Sequence, residues 1–178
     1  MGYAHKSNIR SGHSFRKRSN HDFYKGIGLA GDLYVGGKFS TADGVTVNYI
    51  ARWNEDTDTF DALGTGVSGG FIPVRALKVY NGNLYAGGEF TSPASKVAKW
   101  DGTSWTDISF PLNGQVDGFY VDGSGIYALG TGGSPYEAPA IWNDTSWSQM
   151  DSGNDSRRIR SMTAVSYTHL TLPTSFLV

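Results

Sequence analysis

Apolar and polar residues along this chain alternate in short runs that double back, and no long stretch carries the apolar period of a helix. The clearest run is Val74–Tyr80, apolar and partly β-branched, followed at once by Asn81-Gly82. That dipeptide is the strongest short hairpin signal, because a type I′ turn needs positive φ at both central positions. The pattern predicts a returning strand over 83–89, a looser stretch over 90–96, and a third strand over 97–100. A turn at Asp101-Gly102-Thr103 and a fourth strand over 104–108 complete the unit.

The same grammar recurs on both sides. Downstream, strands are predicted over 116–121, 125–130, 138–142 and 146–150, with turns at Asp122-Gly123-Ser124 and Asn143-Asp144-Thr145. Upstream, 32–37, 49–53 and 59–63 give the last three strands of an earlier unit, whose first strand has 23–28 as its one candidate. Two phrases mark the copies. Leu33-Tyr34-Val35-Gly36-Gly37-Lys38-Phe39 returns as Leu84-Tyr85-Ala86-Gly87-Gly88-Glu89-Phe90 and, altered, as Ile126-Tyr127-Ala128-Leu129-Gly130. Ala51-Arg52-Trp53-Asn54 returns as Ala98-Lys99-Trp100-Asp101 and Ala140-Ile141-Trp142-Asn143. The tyrosines are spaced by 51 and 42 residues and the tryptophans by 47 and 42, the period of propeller blades.

The expectation is therefore an all-β chain forming a partial β-propeller of about three four-stranded antiparallel blades, at 23–64, 74–108 and 116–150, with a stub at 159–163. Such rings ordinarily close with four to eight blades. The chain is accordingly read as a fragment whose partners include the missing blades of its own parent chain. Twenty-four glycines, ten tyrosines, nine phenylalanines and five tryptophans against 17% charged residues suit an all-β chain with many tight turns.

Charge divides the chain. Residues 1–25 hold six of the fifteen Lys and Arg and one acid, leaving nine bases against fifteen acids in the repeats, which gives no reason to expect nucleic acid there. Residues 1–22 are aperiodic and read as a disordered or out-of-register leader. With no cysteine there is neither disulfide nor thiol chemistry, and no apolar run is long enough for a membrane span or a signal peptide. At the other end, V-S-Y-T-H-L-T-L-P-T-S at 165–175 resembles the translation of a transposase-type sequencing adapter, a contaminant of assembled metagenomic reading frames. The blade period stops where it begins, so 165–178 is read as an artefactual tail.

Candidate chemistry is thin. Trp53, Trp100 and Trp142 could stack sugars, but their recurrence at one repeat position favours packing between blades. Asp56, Asp58 and Asp61 lack the glycine and terminal glutamate of a helix-flanked calcium loop and fall in a turn. All four histidines, His5, His13, His21 and His169, lie in the leader or the tail. Arg52 and Arg75 are the only arginines of the whole blades, too few for the arginine triad of a sialidase. No catalytic, cofactor-binding or metal residue is assigned.

The phrase L-Y-x-G-G-x-F, a variable loop, A-x-W-[ND] and a further aromatic at Phe60, Trp105 or Trp147 resembles the kelch-like repeats of the galactose oxidase central-domain superfamily. It is more closely similar to repeats of large bacterial surface proteins and of the fungal cortical polarity-marker family. The resemblance covers 31 to about 163. It implies a cell-surface or extracellular setting and structural roles for Tyr34, Gly36, Gly37, Trp53, Tyr85, Gly87, Gly88, Trp100, Trp105, Tyr127, Trp142 and Trp147. Copper-radical oxidation of the galactose oxidase kind needs histidine and cysteine-modified tyrosine, and 31–163 has neither histidine nor cysteine.

Antiparallel strands send the tight turns to one end and the longer loops, 40–48, 64–73, 91–96, 109–115, 131–137 and 151–157, to the other. Partners dock on such loops. Asp43, Asn48, Lys96, Tyr136 and Glu137 are the candidates there for a protein or carbohydrate ligand. The expected function is a non-catalytic segment of a larger exported or cell-surface protein, serving binding, adhesion or scaffolding. The alternatives are a fragment of a propeller glycosidase, sialidase or lyase whose catalytic residues lie in other blades, and an intracellular kelch-like adaptor.

Overall fold

A computed structural model describes residues 22–29, 32–111, 114–130, 139–150 and 162–163. Residues 1–21 of the expected leader, the tail at 165–178, Tyr136, Glu137 and all four histidines lie outside the described residues. Of the stub at 159–163 only Met162 and Thr163 are described, and neither is in a strand.

The described residues are all-β, with fourteen strands and no helix. The first sheet has the order β1 (Asp22–Leu29), β2 (Asp32–Lys38), β5 (Ile50–Asn54) and β6 (Thr59–Ala62). The second runs β7 (Val74–Tyr80), β8 (Asn83–Gly88), β9 (Val97–Trp100) and β10 (Trp105–Asp107), and the third β11 (Val116–Asp122), β12 (Gly125–Gly130), β13 (Ala140–Trp142) and β14 (Trp147–Gln149). All neighbours are antiparallel. The predicted loop at 40–48 instead holds a small hairpin, β3 (Thr41–Ala42) against β4 (Val45–Thr46). Its turn is Asp43-Gly44, with φ of 46° and 81°, the positive pair that a two-residue hairpin turn requires.

Three devices recur in register. Between the third and fourth strands, Trp53 faces Phe60, Trp100 faces Trp105 and Trp142 faces Trp147, with ring centroids 4.9, 5.3 and 5.5 Å apart. Cross-strand aromatic pairs of this kind stabilise a hairpin beyond their buried area. The turn after each tryptophan is tied by the residue that follows it. Asn54 Oδ1 accepts the amides of Asp56 and Thr57 at 3.0 and 3.3 Å, Asp101 Oδ1 those of Thr103 and Ser104 at 2.8 Å each, and Asn143 Oδ1 those of Thr145 and Ser146 at 3.1 and 2.9 Å. The W-[ND] phrase is thus an Asx-type turn written three times. Those Ser104 and Thr103 amides, with the Thr103 hydroxyl, hold the Asp101 carboxyl well below the ordinary range.

The third device is a β-bulge. Pairing of each first strand with its second slips by one residue between Phe23 and Lys25, between Val74 and Ala76, and between Val116 and Gly118. Each slip lies opposite the phrase that follows the repeat tyrosine. There Gly88 and Gly130 lie so close to the backbone carbonyls of Pro73 and Gln115 that neither has room for a Cβ.

The sheets pack face to face. Tyr34 and Ile50 of the first join Val74, Leu77, Leu84, Ala86, Ala98 and Trp100 of the second in one apolar cluster; Tyr85 and Val97 join Val116, Ile126, Ala128 and Trp142 in the next. The closest approaches between sheets are β1 and β2 with β7, and β7 and β8 with β11, so the first strands draw together. Gly36 and Gly87 allow this. A Cβ on Gly36 would stand 2.5 Å from Val74 Cγ1, and one on Gly87 2.6 Å from Val116 Cγ1 and 2.8 Å from Phe119 Cζ. In the third sheet Leu129 holds the same register position. Fully buried Tyr85, Phe90, Leu77 and Leu84 anchor these contacts, each worth about 1.5–3 kcal/mol in removed apolar surface.

A hydrogen bond also crosses each interface. Trp105 Nε1 donates to the carbonyl of Leu63 at 2.9 Å, and Trp147 Nε1 to that of Ile108 at 2.9 Å. Leu63 and Ile108 are equivalent, each following the fourth strand of the preceding sheet. At the turn end, Asn81 Nδ2 and the Tyr85 hydroxyl both donate to the Asp144 carboxylate. Burial first, then the charge of Asp144, pushes the Tyr85 phenol upward.

Candidate binding face

The strand order puts the tight turns at one end of the sheets, and the linkers between sheets, with the loops joining second to third strands, at the other. At this second end the linker 64–73, which leads from the first sheet to the second, is gripped from two sides. Asn48 Nδ2 donates to Thr65 O at 2.8 Å and Val67 N to Asn48 O at 3.1 Å. Ser68 and Ser92 exchange backbone bonds, Ser68 N to Ser92 O at 2.9 Å and Ser92 N to Ser68 O at 3.2 Å, forming a bridge between linker and loop.

Glu89 is the hub. Its Oε2 accepts the amides of Phe71 and Ile72 at 3.1 and 3.3 Å, while Oε1 takes Arg75 Nε at 3.0 Å and Arg75 Nη2. Burial alone would raise this carboxyl; the Arg75 bond, the guanidinium charge and the two amides outweigh it and hold Glu89 below its ordinary value. Arg75 is the extra residue of the second sheet's bulge, Asp117 that of the third, and Arg75 Nη1 lies 3.6 Å from Asp117 Oδ1. Gln115 Nε2 donates to the same Oδ1 at 2.8 Å. The bulges thus swing charged groups of neighbouring sheets toward one another where the first strands converge.

The clamped linker holds out one large apolar side chain. Phe71 is 72% exposed, and Lys38 Nζ sits 3.7 Å from its ring centroid. An exposed aromatic face beside an ammonium, on a backbone fixed at both flanks, can stack the C–H face of a sugar or a planar peptide side chain and attract an anion.

Of the sequence candidates, Asp43 is exposed at the tip of the β3–β4 hairpin. Asn48, at φ 46°, is occupied in bracing the linker, and Lys96, at φ 68°, folds back to donate from Nζ to Glu89 O at 3.3 Å. Tyr136 and Glu137 lie outside the described residues. Phe71, Lys38, Arg75 and Glu89 are not among the ligand candidates of the sequence. The available signal was the residue directly after each paired glycine, Lys38 and Glu89, charged where the phrase around it is constant.

Elsewhere, Arg52 Nη2 pairs with Asp61 Oδ2 at 2.8 Å, Asn54 Nδ2 donates to the same oxygen at 3.2 Å, and Asp32 Oδ2 lies 3.6 Å from Arg52 Nη1. The Arg52 bond first of all holds Asp61 below its ordinary value. Asp61 is therefore turned to Arg52, while Asp56 and Asp58 are exposed in the turn. Among the described residues, no group of three or more His, Cys, Asp or Glu is arranged to hold a metal ion, and no helix is long and apolar enough to cross a membrane.

The chain matches no protein-family model, and its comparison with curated proteins gives no significant match.

Proposed function

We propose that the chain is a run of kelch-like β-propeller blades from a larger exported or cell-surface protein, and that it serves as a non-catalytic binding or scaffolding segment. The observation that carries the propeller reading is the repeated interface. Each of two successive junctions joins a tyrosine-bearing face to a tryptophan-bearing face, draws first strands together over a glycine, and adds an indole bond to the preceding sheet. Radial arrays of four-stranded sheets are built this way, with each unit contacting only its neighbours.

The ligand, in this reading, is a protein or carbohydrate that meets the loop end at Phe71 and Lys38. A glycan array and a pull-down with the parent protein test it, using Phe71→Ala and Lys38→Ala. Both variants are expected to lose binding at least tenfold with unchanged melting temperature. Unchanged binding in both would reject this face, and substrate turnover abolished by changing a loop acid would reject the non-catalytic reading.

A further inference from the structure

We propose that Asn81 is a spontaneous modification site, whose carboxamide cyclises onto the Gly82 amide when the turn opens and leaves an aspartate or isoaspartate that cannot bind Asp144 again. The link between the second and third sheets at this end is thereby lost irreversibly, at a rate set by how often the turn opens. The inference stands apart from what the loop end binds.

The tight turns are not alike. Asn54, Asp101, Asp122 and Asn143 each direct a side-chain oxygen to an amide of their own turn. Asn81 reaches instead across to the next sheet, where its Nδ2 donates to the Asp144 carboxylate beside the Tyr85 hydroxyl. In the second sheet the position of Asp144 is held by Gly102, and Tyr34, the counterpart of Tyr85, turns its hydroxyl to Asp32 of its own sheet at 3.4 Å. One side-chain carboxamide therefore carries this link.

That carboxamide precedes glycine, the residue that least obstructs cyclisation because it has no Cβ. Even a Cβ built on Gly82 would meet nothing within 4 Å, and among the described residues no backbone carbonyl takes the Gly82 amide. In the step, Gly82 N bonds to Asn81 Cγ, the Cγ–Nδ2 bond breaks, and the proton of Gly82 N leaves with the nitrogen as ammonia. Water then opens the cyclic imide at either carbonyl, so the net change is water in and ammonia out. While the turn is shut, at φ of 45° and 72°, Asp144 holds the carboxamide away from its own backbone. Asn81, Gly82 and Asp144 are all exposed, so opening here uncovers no core.

Either product bars the way back. Aspartate sets a carboxylate against the Asp144 carboxylate where a donor stood, and like charges in contact repel. Isoaspartate also adds a backbone carbon to the two-residue turn that pairs Tyr80 with Asn83. Asp43, Asp101 and Asp122 precede glycine too, but cyclisation there leaves the charge unchanged.

The test holds the full chain at neutral pH, folded and, in parallel, unfolded in guanidinium, and follows Asn81 by ion exchange and by peptide mapping that resolves isoaspartate. Asp144→Gly removes the acceptor while suiting the positive φ that Gly102 also adopts. Conversion of Asn81 is expected to run about tenfold faster in folded Asp144→Gly than in folded wild type, the factor that one hydrogen bond to a charged group supplies, and fastest in the unfolded chain. Asp144→Asn, which keeps an acceptor oxygen, should stay near wild type. Equal rates in wild type and Asp144→Gly, or no conversion in either while the unfolded chain converts, would overturn the proposal. If Asp144→Gly fails to fold, a charge swap decides it. Asn81→Asp alone should lower the folded-to-unfolded ratio about tenfold in urea titration, and Asn81→Asp combined with Asp144→Asn, which exchanges donor and acceptor, should restore it. No loss in the single variant, or no recovery in the double, refutes the idea.

Discussion

Replacing Trp147 by phenylalanine should cost more than the same change at Trp105, although the two occupy one repeat position. Trp147→Phe removes the N–H that meets the Ile108 carbonyl at 2.9 Å, in a residue nearly sealed from water. A buried carbonyl left without its donor costs about 1–3 kcal/mol. Trp105→Phe removes the equivalent bond, but the Leu63 carbonyl still accepts the Gly66 amide at 3.0 Å, so the loss falls to about 1 kcal/mol, the net worth of one bond. The smaller ring takes roughly another 1 kcal/mol of apolar burial from each variant alike. The expected gap is thus about 1 kcal/mol, or about 2–4 °C in melting temperature for a chain of this size. Urea titration followed by far-ultraviolet circular dichroism reads it without depending on tryptophan fluorescence. Equal losses, or the larger loss at Trp105, would show that these indole bonds do not hold the sheets together.

Gly87→Ala should separate the second and third sheets, since its Cβ would press on Val116 and Phe119; a loss of about 2 kcal/mol or more by urea titration is expected, and a neutral result would refute the close packing. Glu89 has a lowered folded value, so its stabilisation is present above the ordinary glutamate range near pH 4.3 and fades as pH falls through the folded value. Glu89→Gln should therefore lose about 1–3 kcal/mol at pH 7 and flatten the acid limb of a stability-against-pH curve, and parallel curves for the two proteins would rule out the clamp. Asp101→Asn should leave turn protection in amide exchange unchanged, because Asn54 and Asn143 tie the same turn, while Asp101→Ala should speed exchange at Thr103 and Ser104; identical rates in all three proteins would count against the side-chain tie.

The strands were legible because their signals are local. Asn81-Gly82 and the alternation on either side specify β7 and β8 within fifteen residues, and the tyrosine and tryptophan phrases repeat the lesson. The β3–β4 hairpin is not legible despite Asp43-Gly44, since two-residue strands hold too few positions to show a period. The bulges left no mark either, as one extra residue shows only when two strands are laid in register. The loop face was the hardest part. Asn48 and Lys96 brace backbone there, and the presentation of Phe71 depends on Glu89, eighteen residues away, fastening its amide, a link no local pattern carries.

The bulge at Arg75 has a consequence for how such a chain tolerates change. Side chains on a strand obey a two-step parity, and the extra residue resets that parity between Val74 and Ala76 so that Val74 and Leu77 join the same buried cluster. A one-residue deletion between 74 and 80 would turn half of that strand inside out, whereas several residues added to an exposed loop tip would leave every face where it is. Natural length variation in relatives of this chain should accordingly be generous at the β3–β4 tip and nearly forbidden in the first strand of each unit.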